Sequence, residues 1–547
     1  MDAETGGGRP GALAPLANPT FRTFWLASLA SNFGGLVQAV GAAWTMTTLA
    51  ASADMVALVQ ASTTLPIMLF SLASGAIADN FNRRRVMIAA QVGMFVVSAA
   101  LAVCAWADLL TPWLLLGFTF AIGCGVALNN PSWQASVGDI VERGHLPAAV
   151  ALNSVGFNLT RSVGPAIGGA IAAAAGAAAA FAVNAASYLA IIAALVAWKP
   201  KLPESPLPPE GLRQAMGAGL RYVAMSPHIG VVLMRSFLFG LTSVAVLALL
   251  PLVARNFAGR GALTYGLLLG AFGVGAIGGA FLGARLRASL SSEWIVRIAF
   301  AAFAACAVAT ALSPLEWATA AGLALGGAAW VLALSLFNVT IQLSTPRWVV
   351  GRGLALYQTA VFGGMALGSW IWGLLAEARG VEAALLVAGA SMAAAGLVGL
   401  WLPLPNRAEV DLAPLDRFRE PRLGLALKPR SGPVAITIEF RIRERDLPAF
   451  LATMSERQRI RQRDGARHWT LLRDLEDPEL WTEFYQTATW IDYLRHNQRA
   501  TRADAEIGQR LRDLHAGPDL PRVRRRLVRQ TRWLPAAPPA APPLDPH

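Results

Sequence analysis

The fold is decided by a short stretch that the chain contains twice, Asn130-Pro131-Ser132-Trp133-Gln134-Ala135-Ser136 and Asn338-Val339-Thr340-Ile341-Gln342-Leu343-Ser344. Both copies have the form N-x-x-x-Q-x-S, and each lies in an apolar run long enough to cross a bilayer. These runs are the fourth and the tenth of the chain, so the sequence repeats after six spans. A six-plus-six repeat is typical of transporters in which two halves move around a central site.

Apolar runs of about 20 residues, the length that spans a bilayer, occur twelve times. A polar stretch from Lys199 to His228 separates the first six runs from the last six. We therefore predict an all-α membrane protein with twelve transmembrane helices in two pseudo-symmetric six-helix bundles. The runs are 20–47, 55–78, 86–106, 112–136, 149–173, 177–198, 229–254, 263–284, 294–312, 317–343, 353–376 and 382–402.

The composition divides the chain into a membrane part and a soluble part. Only 14% of the residues are charged, against roughly a quarter in a soluble domain. Residues 1–402 contain 20 Lys/Arg and 13 Asp/Glu, while residues 403–547 contain 26 and 20. The net charge of +13 comes mainly from loops on one side of the membrane and from a basic strand near the C-terminus. We therefore expect a lipid bilayer, and no nucleic acid, as a partner.

Basic residues fix the orientation of the spans. With the N-terminus inside, twelve Lys/Arg fall in inner loops, and only Arg255, Arg260 and Arg379 fall in outer loops. Lys and Arg mark the cytoplasmic side. The N-terminus lacks the basic and apolar regions of a cleaved signal peptide. We expect a multi-pass protein of the cell (inner) membrane with both termini cytoplasmic.

The same patterns predict the domain boundaries. After residue 402, alternating and helical periodicities predict the order β-α-β-β-α-β, a ferredoxin-like α+β domain whose second helix runs from Ile491 to Leu514. The predicted segments are a disordered N-terminus (1–17), an N-terminal bundle (18–198), a cytoplasmic loop with an amphipathic helix (199–228), a C-terminal bundle (229–402), a linker (403–432), the ferredoxin-like domain (433–533) and a disordered Pro-rich tail (534–547).

The loop after the second span carries the most specific local pattern, Gly75-x-x-x-Asp79 followed by Arg83 and Arg84. Gly75 permits close helix approach, Asp79 places a carboxylate at the membrane edge, and the arginines can bridge to the other half. Positive-inside topology alone explains the arginines but neither Gly75 nor Asp79. We predict that these four residues form a gate. The copy after span eight has Gly283 in place of the acid.

Span five contains a small-residue face and a charge. Gly164 and Gly168 permit tight helix packing, and Pro165 permits a bend next to them; with Gly169 these residues resemble the helix-five signature of membrane exporters. Generic membrane packing explains the glycines equally well. Arg161 lies in the same span, where an arginine costs roughly 3 kcal/mol, so it should face the interior. Its partner is an amide such as Asn158 or Asn130, a helix C-terminus, or an anionic substrate, and a purely structural role is as good a hypothesis as substrate binding.

Amides at corresponding positions of the two halves suit hydrogen bonding to a polar ligand in a central cavity. They serve equally well as contacts between helices. No acidic residue lies deep in any span, which weakens the case for a proton carrier. The predicted substrate pathway comprises Asn32, Gln38, Asn130, Gln134, Asn158, Arg161, Arg235, Asn338, Gln342 and Gln358.

The membrane part resembles a known family. Residues 15–402 resemble the transmembrane secretion effector branch of the major facilitator superfamily, which includes enterobactin exporters and macrolide efflux proteins. The resemblance implies the fold of that superfamily, an Asp79 that faces the N-terminus of helix eleven, and efflux of siderophores, antibiotics or related amphiphiles in exchange for protons. It rests on Asn18-Pro19 with Phe21-Arg22, the Asp79 loop, Asn130-Pro131 with Trp133-Gln134, the Arg161 and Gly164-Pro165 stretch, Phe181, Asn184-Ala185 and Asn338 to Gln342.

The C-terminal module resembles a dimeric α/β-barrel of the antibiotic-biosynthesis monooxygenase type, through 436–441 and 463–469. Dimerisation through 433–533 is what the resemblance implies. His468, Trp469 and His496 are available for catalysis, but core or surface roles are the better interpretation, and we predict no catalytic residue.

We predict a secondary active transporter of a small molecule rather than an enzyme. The alternatives are a bifunctional transporter-monooxygenase and a transporter-like sensor regulated by its soluble domain. There is no Walker A motif, and the three cysteines lie in apolar runs without metal-ligand spacing. We expect neither a cofactor nor a metal.

Overall fold

The computed structural model describes residues 13–50, 52–141, 145–199, 212–257, 261–346, 348–404, 415, 420–421 and 423–528. Most of the predicted disordered N-terminus and all of the predicted tail lie outside these residues. The chain forms two compact units. The membrane unit comprises Met1–Ser344 and Val350–Arg407, and the C-terminal unit comprises Thr345–Val349 and Ala408–His547.

Long apolar helices make up the membrane unit. Their ends follow from local sequence: Asn18, for example, accepts hydrogen bonds from the N–H groups of Thr20 and Phe21 at the start of α1, where Pro19 is the first helical residue. The helices are α1 (Pro19–Leu49), α2 (Ala53–Asn80), α3 (Arg83–Trp106), α4 (Pro112–Ile140), α5 (Leu146–Ala197), α6 (Leu212–Ala224), α7 (Pro227–Asn256), α8 (Ala262–Ser289), α9 (Ser292–Leu312), α10 (Glu316–Leu343), α11 (Val350–Arg379) and α12 (Val381–Leu397).

Eleven helices within the described ranges are long and apolar enough to cross a membrane, whereas the sequence predicted twelve runs. The difference lies in α5, a 52-residue element that joins two of the predicted runs. Gly176 interrupts it with φ 78° and ψ 176°, a conformation that glycine adopts without steric cost. Two helices, 146–175 and 177–197, therefore meet at Gly176, and we call them the first and second segments of α5.

Each half of the membrane unit packs mainly on itself. In the N-terminal half, α1 packs against α5, α2 against α4, and α3 against α4 and α5. In the C-terminal half, α8 packs against α10, α7 against α11, and α9 against α10 and α12. The most extensive described contacts between the halves are those of α2 with α11 and of α5 with α8. We call these contacts the α2–α11 seam and the α5–α8 seam.

The C-terminal unit contains a four-stranded antiparallel sheet with the order β2-β3-β1-β4. Alternate residues of β1 enter the core, because side chains of a strand point to opposite faces. Ile436, Phe440, Phe450 and Tyr485 are among the side chains buried there. The elements are β1 (Val434–Arg441), α13 (Leu447–Arg463), β2 (Arg467–Arg473), β3 (Leu480–Thr487), α14 (Trp490–Gln498), α15 (Arg502–Leu514) and β4 (Arg522–Leu527).

The single helix predicted from Ile491 to Leu514 is wrong. The structure has two helices, α14 and α15, because Thr501 takes an extended backbone conformation and begins a new helix. The Thr501 side chain accepts from the N–H of Asp504, and the Asp504 carboxylate accepts from the N–H of Thr501. This reciprocal capping box marks a helix start.

Candidate functional site

The α5–α8 seam is built from backbone contacts between glycines. A Cβ on Gly169 would lie 2.6 Å from the carbonyl oxygen of Ala262, and one on Gly266 would lie 2.5 Å from that of Pro165. A Cβ on Gly273 would lie 2.6 Å from the carbonyl oxygen of Arg161. Only glycine permits backbones to approach this closely. These contacts lie between the middle of the first segment of α5 and its end at Gly176.

The remaining glycines of the predicted helix-five signature face a different helix. Cβ atoms on Gly164 and Gly168 would lie 3.1 Å from the Leu36 side chain and 2.9 Å from Cα of Val37, both in α1. The signature thus has two faces. Gly164 and Gly168 pack within the N-terminal half, whereas Pro165 and Gly169 contact the other half across the α5–α8 seam.

The α2–α11 seam combines hydroxyl groups with one carboxylate. Ser71 Oγ lies 2.7 Å from Thr359 Oγ1 and donates to the carbonyl oxygen of Ala355 at 3.2 Å. Near the other end of the seam, the N–H of Ala53 donates to Glu377 Oε2 at 2.7 Å. This carboxylate sits at the N-terminus of α2, where the helix dipole favours an anion. Polar contacts of this kind can exchange with water when the two helices separate.

Arg161 lies midway along the first segment of α5 and is half-buried. Its Cζ lies over two rings of the C-terminal half, 5.7 Å from the centre of Phe272 in α8 and 5.8 Å from that of Trp330 in α10. Such contacts contribute about 0.5–2 kcal/mol, less than the cost of roughly 3 kcal/mol for an arginine at the centre of a span. Asn130, one of the predicted partners, makes no described hydrogen bond with it. The rings therefore offset only part of the cost of placing this cation here.

The two rings belong to an aromatic cluster that fills the middle of the C-terminal half. Phe239 of α7 packs on Phe300 at 5.1 Å and on Trp330 at 5.8 Å between ring centres. Phe272 meets Trp330 edge-on at 6.0 Å. Phe272 is 1% exposed and Trp330 is 6% exposed. The rings thus form a rigid wall behind Arg161 rather than an open surface.

Gln38, predicted in the substrate pathway, lies in a buried network of the N-terminal half. Its Oε1 accepts from Ser98 Oγ at 2.7 Å and also from Asn184 Nδ2. Asn184 Nδ2 is also 3.2 Å from the hydroxyl of Tyr188. These residues link α1, α3 and the second segment of α5. The structure therefore gives Gln38 a role in holding helices together.

Arg235, another predicted pathway residue, is fully buried in an ion pair. Its Nη1 lies 2.5 Å from Glu293 Oε2. Arg297 Nε donates to Glu293 Oε1 at 2.8 Å, and the N–H of Leu404 donates to Oε2 at 2.9 Å. Arg297 Nη2 also donates to the carbonyl oxygen of Gly399 at 2.8 Å. We call this cluster the Glu293 hub; it ties α7, α9 and the segment that follows α12 together, away from Arg161.

The remaining predicted pathway residues do not converge with Arg161 in described contacts. Gln342 Nε2 donates to Asn338 Oδ1 at 2.5 Å, so the amides of the second copy pair with each other. Asn130 and Asn32 are exposed, and Gln358 is half-buried. The side chains of Gln134 and Asn158 lie outside the described part, so the mirrored pair in α4 stays a prediction.

The predicted gate is only partly described. The side chain of Asp79 lies outside the described residues, so its contact with helix eleven stays a prediction. Arg84 donates to the carbonyl oxygens of Leu195 and Val196, both at 2.8 Å, and so binds the C-terminal end of the second segment of α5. A Cβ on Gly75 would meet no described atom within 4 Å. Close helix approach, the reason given for a glycine there, is thus not seen at Gly75.

The C-terminal unit buries a charged cluster centred on Glu483, which is 0% exposed. Arg457 Nε and Arg461 Nε donate to its carboxylate at 2.8 and 3.2 Å, and Trp469 Nε1 donates at 3.1 Å. Burial opposes the charge, but the two arginines hold the pKa of Glu483 at about 2. His496 Nε2 lies 2.9 Å from Arg461. Trp469 and His496 are therefore both hydrogen-bonded within this cluster.

Sequence reasoning missed the partners that lie on other helices. Phe272, Trp330, Thr359 and Glu377 were not candidates, although Trp330 stands at the centre of α10 and Glu377 is one of few acids in the membrane part. The signal available in the sequence was the position of a tryptophan and an arginine, each at the middle of its own span. The pairing itself depends on the fold.

The sequence profile described as transmembrane secretion effector matches residues 10–532. The chain belongs to this family. Because the match runs through both units, the C-terminal unit is part of what the family shares. The resemblance of the membrane part is confirmed, whereas the monooxygenase-like character of the C-terminal module is not shown.

Curated relatives are transporters. The enterobactin exporter EntS of Salmonella typhi is 26% identical over 353 residues, 64% of this chain and 81% of the relative. The staphyloferrin A transporter of Staphylococcus aureus is 28% identical over 149 residues, 27% of this chain and only 38% of that relative. The prediction of a transporter rather than an enzyme is confirmed.

Solved structures share the fold. The inward-facing, unoccupied form of a bacterial homologue of the lysosomal transporter Spinster has a TM-score of 0.54 at 15% identity and covers 70% of this chain and 95% of its own. The nucleoside transporter NupG has a TM-score of 0.56 at 11% identity, covering 70% and 98%. The chain is thus a multi-pass membrane transporter with the architecture of the major facilitator superfamily.

Proposed function

We propose that the chain is a secondary active transporter of the cell (inner) membrane that exports a small molecule by alternating access. Its cargo is a siderophore, an antibiotic or a related amphiphile, and exchange for protons is what the family resemblance implies. The names of the relatives, an enterobactin exporter and a staphyloferrin A transporter, support the cargo class and the direction.

The proposal includes twelve spans with both termini cytoplasmic. Counting the two segments of α5 as separate spans gives six helices before α6 and six after it. The excess of Lys and Arg in the loops assigned to the inside supports the orientation. In this orientation, the α5–α8 seam closes the outer half of the passage, and Arg161 lies at the inner end of the seam.

The observation that carries the proposal is the composition of the two seams. Each half contains buried polar networks, such as those of Gln38 and Glu293, as well as close glycine contacts such as those between α8 and α10. The described hydrogen bonds between the halves are a few exchangeable ones, such as Ser71 with Thr359, and they accompany the glycine contacts of the α5–α8 seam. Two internally rigid halves with a separable boundary are what a rocking mechanism requires.

An efflux assay tests the function. Cells expressing the full chain should retain less enterobactin or staphyloferrin A than cells with an empty vector, and a protonophore should abolish the difference. Everted membrane vesicles should accumulate the same compound. If a broad panel of siderophores and antibiotics shows no difference in retention, the export proposal is wrong.

Cross-linking tests alternating access. In a chain lacking its native cysteines, Ser71→Cys with Thr359→Cys should form a disulfide on oxidation, and transport should stop until a reductant is added. Each single cysteine variant serves as the matched control and should transport under both conditions. Undiminished transport by the fully cross-linked protein would show that this boundary need not open.

We infer that the C-terminal unit has a ferredoxin-like arrangement and is not catalytic. The sheet order β2-β3-β1-β4 supports the arrangement. The engagement of Trp469 and His496 in the Glu483 cluster supports the absence of catalysis. Oxygen consumption by the purified full chain with quinol-like aromatics would contradict this inference. Dimerisation through 433–533 stays a prediction, which light scattering on the purified protein checks.

A further inference from the structure

Arg161 is a mid-membrane cation with an incomplete set of partners. Its guanidinium carries five N–H donors. Within the described ranges of the chain, no acceptor lies within hydrogen-bond distance of them, and its described contacts beyond its own helix are with the rings of Phe272 and Trp330. A ring face attracts a cation but does not replace a hydrogen-bond acceptor.

Two other arginines in the spans have a carboxylate partner, although Nε and Nη2 of Arg235 are buried without a described hydrogen bond. Arg235 and Arg297 share the carboxylate of Glu293. Both lie near the ends of α7 and α9 rather than at mid-depth. Arg161 differs in that it is half-buried, is central in its helix and faces the opposite half. Its intermediate exposure leaves part of the side chain accessible to a further partner.

We propose that Arg161 anchors a binding site for an organic oxyanion, a carboxylate or a phenolate, on the transported molecule. This inference rests on the proposed function and adds the charge of the ligand to it. A guanidinium binds an oxyanion through two parallel N–H···O bonds. Phe272 and Trp330 are nearly fully buried, so they lower the local dielectric and hold the cation in place rather than contact the ligand broadly.

The site lies where the two halves come into contact. The carbonyl oxygen of Arg161 and Cα of Ser162 pack directly against Gly273 of α8, and a Cβ there would lie 2.6 Å from each. Arg161 moves with the N-terminal half, while its ring wall moves with the C-terminal half. Separation of the α5–α8 seam therefore takes the cation away from the rings and exposes it to water.

This arrangement gives the anion different affinities in the two states. Next to the rings, the charge pair lies in a low dielectric and binds strongly. After separation, water screens the pair, and binding weakens. A transporter needs such a difference so that its cargo is released on one side. Arg161 thus binds the anion with an affinity that depends on whether the seam is closed or separated.

Binding measurements on the full chain in nanodiscs test the site. The probes are salicylate and citrate as carboxylates and catechol as an uncharged aromatic. Arg161→Gln should weaken binding of at least one carboxylate by tenfold or more, with catechol unaffected. Arg161→Lys keeps the charge but loses the bidentate geometry, so it should lie between the wild type and Arg161→Gln. Arg255→Gln, an exposed arginine at the end of α7, is the control and should match the wild type.

The outcomes separate the site from the function. Unchanged carboxylate binding in Arg161→Gln, or no Arg161-dependent binding of either carboxylate, overturns the site. Binding that is seen only in nanodiscs with anionic lipid would also overturn the site, because the ligand of Arg161 would then be the phosphate headgroup. Efflux of a carboxylate-bearing amphiphile that Arg161→Gln leaves intact overturns the site but leaves the export function standing. Arg161-dependent binding without any efflux supports the site and refutes export.

Discussion

One methyl group at Gly273 should shift the balance between the closed and separated states of the α5–α8 seam. A Cβ at this position would lie 2.6 Å from both the carbonyl oxygen of Arg161 and Cα of Ser162. Both are backbone atoms, so no side-chain rotation can relieve the contact. An ordinary contact needs about 3.4 Å, so Gly273→Ala must push α5 and α8 apart by roughly 0.8 Å.

Overpacking of this kind costs about 1–3 kcal/mol. The methyl group costs nothing once the seam has opened, so the whole penalty falls on the closed state. Since about 1.4 kcal/mol is tenfold, the ratio of separated to closed molecules should rise roughly 5- to 150-fold. Spin labels on Ile167 and Leu267, which are exposed on α5 and α8, report this ratio as a change in their distance distribution. The labels require replacement of Cys104, Cys124 and Cys306.

Gly278→Ala is the matched control. Gly278 lies in the same helix, and a Cβ there would meet no described atom within 4 Å. The control should keep the wild-type distance distribution and efflux rate, whereas Gly273→Ala should lose efflux as the long-distance population grows. If both variants give the same distances and the same efflux, the glycine contacts do not control the seam.

Three further predictions concern single side chains. Glu483→Gln removes a buried carboxylate and leaves two arginines, each 16% exposed, without its counter-charge. It should lower the unfolding free energy of the C-terminal unit by about 3–5 kcal/mol, while Glu439→Gln on the neighbouring strand should cost at most about 1 kcal/mol; equal denaturant midpoints would contradict this. Burial, aided by the charge of Arg461, lowers the pKa of His496 to about 3, so stability that depends on the neutral ring is lost as pH falls from 6.5 towards 3. His496→Gln should therefore flatten the pH dependence of unfolding relative to the wild type, and an unchanged slope would refute the assignment. Glu377→Gln should weaken the electrostatic interaction of this side chain with the N-terminus of α2 by about 0.3–1 kcal/mol. The distance between spin labels at that end of the α2–α11 seam should then increase, whereas identical distances would show that the charge has no role there.

The sequence is most informative where a property belongs to one helix. The length of the apolar runs predicted the positions of the spans. The break at Gly176 also falls between two predicted runs, because the turn from one helix to the next is a local feature of the chain. The capping box of Thr501 and Asp504 was also readable. Helical periodicity alone does not reveal it, because the periodicity continues on both sides of it.

Partnerships between distant helices are what the sequence could not supply. Gln38 and Arg235 both read as candidates for a ligand, since a polar group in a span must be satisfied. Their partners, Asn184 and Glu293, lie far along the chain and meet them only through the packing. Arg161 was found for the same reason. That it faces Trp330 depends on how the two halves meet, which no local pattern contains.

The Glu293 hub determines where the polypeptide can be cut. The N–H of Leu404 and the carbonyl oxygen of Gly399 complete the bonding of Glu293 and Arg297. A protease site placed just after Leu404 would free the C-terminal unit without disturbing the buried charges. A chain ending a few residues earlier would leave those charges partly unpaired, and its instability would say nothing about the detached unit.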